Sequence, residues 1–87
     1  MNLKGISFVR CNLEEVDFSE ANLSQAIFDE CNLNRAIFDN TNLTKADFYS
    51  SFDYSLDPEI NQLKKAIFSR QNVLGLLQKY EIIIREW

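Results

Sequence analysis

The chain has 87 residues, enough for one small domain. Thirteen acids, nine bases and no His give a net charge of −4 and a pI near 4.6, so no overall basic footprint for nucleic acid is expected and direct nucleic-acid binding is not foreseen. A hydrophobic fraction of 46% with 25% charged residues excludes a disordered composition, and the longest wholly apolar run, Ile82-Ile83-Ile84, excludes a membrane span. The start, Met1-Asn2-Leu3-Lys4-Gly5, has no basic stretch followed by an apolar one. No signal peptide is therefore read, and the default location is the cytoplasm. Without His and with only two Cys, the chain offers no zinc constellation and no His-based acid–base site. Two Gly and one Pro leave no glycine-rich phosphate loop. No enzymatic activity and no cofactor are expected.

From the first residue an internal repeat runs through the chain. Leu3, Phe8, Leu13, Phe18, Leu23, Phe28, Leu33, Phe38, Leu43 and Phe48 recur every five residues, alternating Leu and Phe. Two places before each of these centres stands a mostly small residue, such as Cys11, Ala21, Ala26, Cys31, Ala36 and Ala46. Between the two lies a mostly polar residue, and the last two places of each unit are largely polar or charged. A helix advances about 500° in five residues, which would scatter the centres over every face. A continuous strand would send successive centres to opposite faces. A repeated corner resolves the conflict: three extended residues point in, out and in, and two more turn the chain. All ten centres then face inward, and the chain winds into a solenoid.

Units such as Ala21-Asn22-Leu23-Ser24-Gln25 and Ala46-Asp47-Phe48-Tyr49-Ser50 resemble those of the pentapeptide repeat proteins. The resemblance covers residues 1–50 without a break. It implies an all-β fold, a right-handed quadrilateral parallel β-helix with four units per coil. Residues twenty apart should then stack, with Leu3, Leu23 and Leu43 in one column and Phe8, Phe28 and Phe48 in the next. Leu13 and Leu33 form a third column, Phe18 and Phe38 a fourth. Cys11 and Cys31 should stack in one small inward column, read here as reduced, buried thiols, although a disulfide is sterically conceivable at that spacing. The Asn residues before each Leu centre can bond along a ladder or locally at the corners.

Beyond residue 50 the pattern breaks, because the next two centres would be Asp53 and Pro58. Leu63 and Phe68 then return in register. Residues 51–68 are read as a looped-out stretch followed by a final coil, with Phe52, Tyr54 and Leu56 alternating as a strand entering a hairpin would. Residues 69–87 are read as a C-terminal cap. Ser69 is a candidate N-cap, Val73, Leu74, Leu76, Leu77 and Tyr80 give a helical stripe over residues 70–79, and residues 80–85 read as a strand. Phe52-Asp53-Tyr54-Ser55-Leu56-Asp57-Pro58, Leu63-Lys64-Lys65-Ala66 and Leu76-Leu77-Gln78-Lys79-Tyr80 are similar to the C-terminal end of quinolone-resistance-like pentapeptide proteins. Those chains carry a further block of repeats on the N-terminal side. This sequence begins mid-pattern, so the expectation is either the C-terminal half of a longer protein or a first coil covered by a partner.

Residues 1–50 hold eight acids and four bases. The corner that carries Lys4, Ser24, Gln25, Thr44 and Lys45 holds no acid, and the other three carry Glu14, Glu15, Glu20, Asp29, Glu30 and Asp39. The resemblance implies that these acids form a partner surface. In topoisomerase-protecting members an acidic rod is thought to mimic duplex DNA in the enzyme's DNA-binding groove, and a type II topoisomerase is the partner implied. The alternative is a generic interaction or scaffold solenoid whose acids keep it soluble. Both ends would expose apolar surface, so a homodimer is expected. Its candidate interface residues are Met1, Leu3 and Ile6 at one end and Val73, Leu77 and Ile83, with Trp87 beyond, at the other. The N-terminal coil is favoured.

Overall fold

A computed structural model of the chain describes residues 1–85, so Trp87 lies outside the described residues. The backbone forms a β-helix whose coils repeat every twenty residues. Parallel rungs join Asn2 to Asn22, Asn22 to Asn42 and Asn42 to Gln62 on the first side. On the second side the strand β1, Ser7–Val9, pairs in parallel with β2, Ile27–Asp29, and Ile27, Asp47 and Ile67 continue that ladder. The third side runs through Asn12, Asn32 and Phe52, and the fourth joins Asp17 to Ile37.

Each side is only about three residues wide, because the chain turns after every centre. The carbonyl of Leu23 accepts the N–H of Ala26 at 3.0 Å, and Leu33 and Ala36, Leu43 and Ala46 repeat this bond. The second residue of every corner from residue 5 to residue 45 has positive φ, for example 73° at Gly5, 49° at Arg10, 65° at Glu15, 61° at Gln25, 63° at Arg35 and 60° at Lys45. This is the geometry of a type II turn, which places its third residue in the left-handed region. Only Gly adopts that region freely, so each charged corner residue carries some backbone strain. The axial bonds hold it there: Gly5 N–H donates to Ser24 O, Gln25 N–H to Thr44 O and Lys45 N–H to Lys64 O, all at 2.8–2.9 Å. Every Asn of the Leu units bonds locally. Asn22 Oδ1 accepts the Ser24 N–H at 3.1 Å, Asn32 Oδ1 that of Asn34 at 2.9 Å and Asn42 Oδ1 that of Thr44 at 3.1 Å.

Inside, Phe8, Phe28, Phe48 and Phe68 form one stack with centroids 5.5, 4.9 and 5.3 Å apart. Phe18 and Phe38 form the adjoining stack at 5.3 Å. The two stacks meet edge-on, with Phe28 and Phe38 at 88°. Both geometries suit the aromatic quadrupole. Leu23, Leu33, Leu43, Phe28 and Phe48 are fully buried, and Phe18 and Phe38 nearly so. Leu3, Phe8 and Leu13 in the first coil are half-buried.

The C-terminal third differs from the sequence reading. Residues 51 and 52 stay on the ladder: Phe52 N–H donates to Cys31 O and Leu33 N–H to Phe52 O. Phe52 points outward, and no hairpin follows. The left-handed corner comes early, at Asp53 with φ 60°, and this turns Tyr54 and then Leu56 into the core. The stretch is a substituted wall rather than an excursion. The helix expected over residues 70–79 is replaced by two short 3₁₀ turns, Val73–Leu76 and Gln78–Tyr80. Gly75 explains the difference. Its carbonyl accepts the Leu56 N–H at 3.2 Å, and a Cβ there would collide with the Tyr54 carbonyl and ring. A regular helix would take that carbonyl for itself. The strand expected over residues 80–85 is likewise not formed: residues 81–85 make no strand and are exposed.

Asn72 fastens this cap. Its Nδ2 donates to Phe48 O and Ser51 O at 2.9 Å, while its Oδ1 accepts from Ser69 N–H and from the Tyr54 hydroxyl. Ser69 Oγ accepts the Asn72 N–H in return. Burial pushes the Tyr54 phenol up to about 12.

Phe28→Ala removes the ring between Phe8 and Phe48 from a site with no solvent exposure. It should destabilise the protein by about 3–5 kcal/mol. Urea denaturation checks this; a loss below about 1 kcal/mol would be too small for deletion of a fully buried ring.

Candidate functional site

The outward face of every unit is decided by the corners. Two corner residues project from each turn, and the ladder stacks equivalent corners at roughly 4.8 Å. The chain therefore presents four columns of corner side chains along a rod with extents of 42 × 26 × 24 Å.

The six acids read from the sequence fall in pairs on three columns, after the second, third and fourth sides. Glu14 and Glu15 share the column after the third side with Arg35, and Glu14 Oε2 accepts from Asn34 Nδ2 at 3.2 Å. Glu20 and Asp39 meet on the column after the fourth side, where Glu20 N–H donates to Asp39 O at 2.9 Å. Asp29 and Glu30 sit on the column after the second side. There Arg10 lies 3.9 Å from Glu30, and Ser50 Oγ donates to Asp29 and accepts the Glu30 N–H, both at 2.9 Å. This third pair is thus partly compensated. Glu15, Glu20 and Asp39 make no side-chain hydrogen bond among the described residues and are exposed.

Three further acids, not among the six, join the outer surface. Asp17 stands at the rung position of the fourth side, and its carboxyl is held below the ordinary range by hydrogen bonds from Ser19. Asp57 and Glu59 clasp Lys79 at 3.0 and 3.2 Å. The Asp57 carboxyl is lowered by the Glu59 N–H and then by Lys79. That of Glu59 is lowered by the Tyr80 hydroxyl, 2.9 Å away, and then by Lys79. Lys79 stands in the second 3₁₀ turn, off the repeating ladder, so no repeat spacing in the sequence signalled this clasp.

The two cysteines are free. Cys31 is fully buried, and its Sγ donates to Phe8 O and Asp29 O at 3.4 Å. Burial pushes its thiol up. Cys11 is half-buried, not buried as expected, because it lies in the first described coil with one stacking neighbour instead of two. The six residues read as a dimer interface are divided between the ends. Met1 is exposed, with Leu3 and Ile6 half-buried at one end; Val73, Leu77 and Ile83 are exposed at the other. A shallow groove of about 240 Å³ among Leu74, Leu77, Ile82 and Ile84 marks the second end. Among the described residues no metal-ligating cluster occurs, and no helix is long and apolar enough to cross a membrane.

Native-state thiol labelling should modify Cys11 well before Cys31. Equal labelling rates for the two, with the protein still folded, would place Cys31 at the surface.

The family model described as pentapeptide repeats matches in 8 copies, over residues 1–29 and 17–51. No curated protein matches the sequence. Among solved structures, the chain is similar to QnrB1, described as a plasmid-mediated fluoroquinolone resistance protein. That likeness has 21% identity and a TM-score of 0.46, and covers 97% of this chain and 43% of the other. The chain thus spans less than half the length of that relative.

Proposed function

The chain belongs to the pentapeptide repeat family, and from that premise we propose a non-enzymatic, cytoplasmic binding protein that occupies the DNA groove of a type II topoisomerase. The right-handed, quadrilateral winding is part of this reading. Connections between parallel strands of one sheet are right-handed in ~98% of cases, and an experimental density map tracing residues 3–23 would show the hand directly.

The observation that carries the proposal is the placing of exposed carboxylates on rigid corners. Glu15, Glu20 and Asp39 are exposed, and the ladder bonds at Glu15 N–H and Glu20 N–H hold their backbone in place. A groove built to receive phosphates attracts such an array through its own positive potential. Because the corner backbone is ordered before binding, docking costs the conformational entropy of the carboxylate side chains alone. The competing reading is a generic interaction or scaffold solenoid, favoured by the cations that already offset the acids at Arg10 and Arg35.

Gyrase supercoiling in the presence of a fluoroquinolone, with and without the protein, separates the two. Protection is expected from the parent, and its loss from the triple variant Glu15→Lys, Glu20→Lys, Asp39→Lys. Lys45 occupies the same left-handed corner conformation as Glu15 and Glu20, and Asp39 lies outside that region beside the left-handed Asn40, so the variant should fold. Protection that survives charge reversal, or is absent from the parent, rejects the mimic and leaves the scaffold reading.

We also propose a homodimer, with the N-terminal coil as its interface. Half-buried Leu3, Ile6 and Phe8 support that end, and exposed Val73, Leu77 and Ile83 support the other. A sedimentation-equilibrium mass near the 10.2 kDa monomer at micromolar concentration overturns it. If a dimer forms, Ile6→Glu and Leu77→Glu, tested separately, report which end is covered.

A further inference from the structure

The corner column after the first side carries Lys4, Lys45, Lys64 and Lys65 and not one carboxylate. All four are exposed, and none joins an ion pair among the described residues. Lys4 and Lys64 stand three strand spacings apart, about 14 Å, and Lys45 and Lys65 one spacing, about 5 Å. The backbone bond from Lys45 N–H to Lys64 O at 2.9 Å ties neighbouring corners together. The nearest acid on the next side, Asp47, accepts the Tyr49 N–H at 2.9 Å and is thereby committed to the following corner.

The rest of this edge consists of donors. A groove of about 270 Å³ lies among Lys4, Ser24, Gln25, Asn42, Thr44 and Lys45. Asn22 and Asn42 spend their carbonyl oxygens on the Ser24 and Thr44 N–H groups, so the free end of each amide is its NH₂. Ammonium, amide and hydroxyl side chains are the set that contacts phosphate oxygens. No aromatic residue lies on this side or its corner column, so unpaired bases have nothing to stack on, and a base-paired duplex is the better fit.

From this we propose that the lysine edge is a docking face for the phosphodiester backbone of duplex nucleic acid, independent of sequence. The net charge of −4 hides it, because that value averages over columns of opposite sign. The rod is 24–26 Å across, and the Debye length at physiological salt is about 8 Å. A duplex lying along the lysine edge is therefore screened from Glu14 and Glu15 on the diagonally opposite column, while Asp29 and Glu30 and Glu20 and Asp39 stand one side away, about 10 Å, and keep the binding weak. The inference does not depend on the topoisomerase reading, and its test contains no topoisomerase.

Fluorescence anisotropy of a labelled duplex oligonucleotide, titrated with the full chain at stepped salt concentrations, decides it. Weak binding is expected, with a log–log salt slope approaching about −3.6 if all four lysines engage phosphates, at about 0.9 per contact. Lys45→Glu with Lys64→Glu and Lys65→Glu should weaken binding by about tenfold or more at low salt and leave a slope near −1. Lys64→Gln with Lys65→Gln is the milder variant should the triple one unfold, and it should lower the slope by about 2. Failure of the parent to bind at low salt overturns the proposal, as does unchanged binding by a folded variant. Equal affinity for polyglutamate makes the ligand an acidic polypeptide and also overturns it. So does loss of self-association, and not of duplex binding, in the lysine variants, since the edge would then serve the acids of a second copy.

Discussion

Leu3 N–H donates to Asn22 O, Leu23 N–H to Asn42 O and Leu43 N–H to Gln62 O, and the rest of the molecule depends on this axial bonding from each coil to the next. The bonds recur on every side and at the corners, so each coil is a template for the next. They also offset the strain of the corners. Arg10, Glu15, Gln25, Arg35 and Lys45 all hold positive φ, a conformation that costs an ordinary residue roughly 1–2 kcal/mol. No such residue would stay there alone. At Arg10, Glu15, Gln25 and Lys45 it does so because the N–H reaches the carbonyl of the next coil, and throughout because the centre beside it packs inward.

One consequence is that core and surface are nearly independent. The inward places take Leu, Phe and small residues, and the corner side chains point away from them. Charge can then be written on the corners without disturbing the packing. This chain writes it unevenly: acid pairs on three columns, partly offset by Arg10 and Arg35, and lysines alone on the fourth. A single net charge is a poor guide to such a surface, since opposite faces lie farther apart than the screening length.

The end of the rod illustrates the reverse situation, where one contact decides local structure against propensity. Tyr54 replaces a regular centre and tilts against Phe48 and Phe68. Gly75 lies on it, Asn72 bonds both to it and to the last turns of the coil, and the Lys79 clasp on Asp57 and Glu59 holds the second 3₁₀ turn. An apolar stripe at helical spacing was present in the sequence, but the backbone groups a helix needs were already engaged by the coil.

The amino-acid sequence by itself determined the period, the inward centres and the columns that follow, because a five-residue spacing is compatible with burial only if the chain turns at every unit. It also carried the local Asn bonds, which need only neighbours in the chain. It left open what lies between partners distant in sequence. The left-handed corners at Glu, Arg and Lys have no propensity signal, since the ladder imposes them. The entry of Tyr54 into the core depends on an early turn at Asp53, and the 3₁₀ cap depends on Gly75 meeting that ring. The division of the acids among three columns, and the return of Leu63 and Phe68 in register, were legible from the period, because both follow from four units per coil. How residues 51–60 stay in step with it is supplied only by the tertiary structure, because these two units show no repeat and are held by the rung of Phe52 on Asn32 and by the burial of Tyr54 and Leu56.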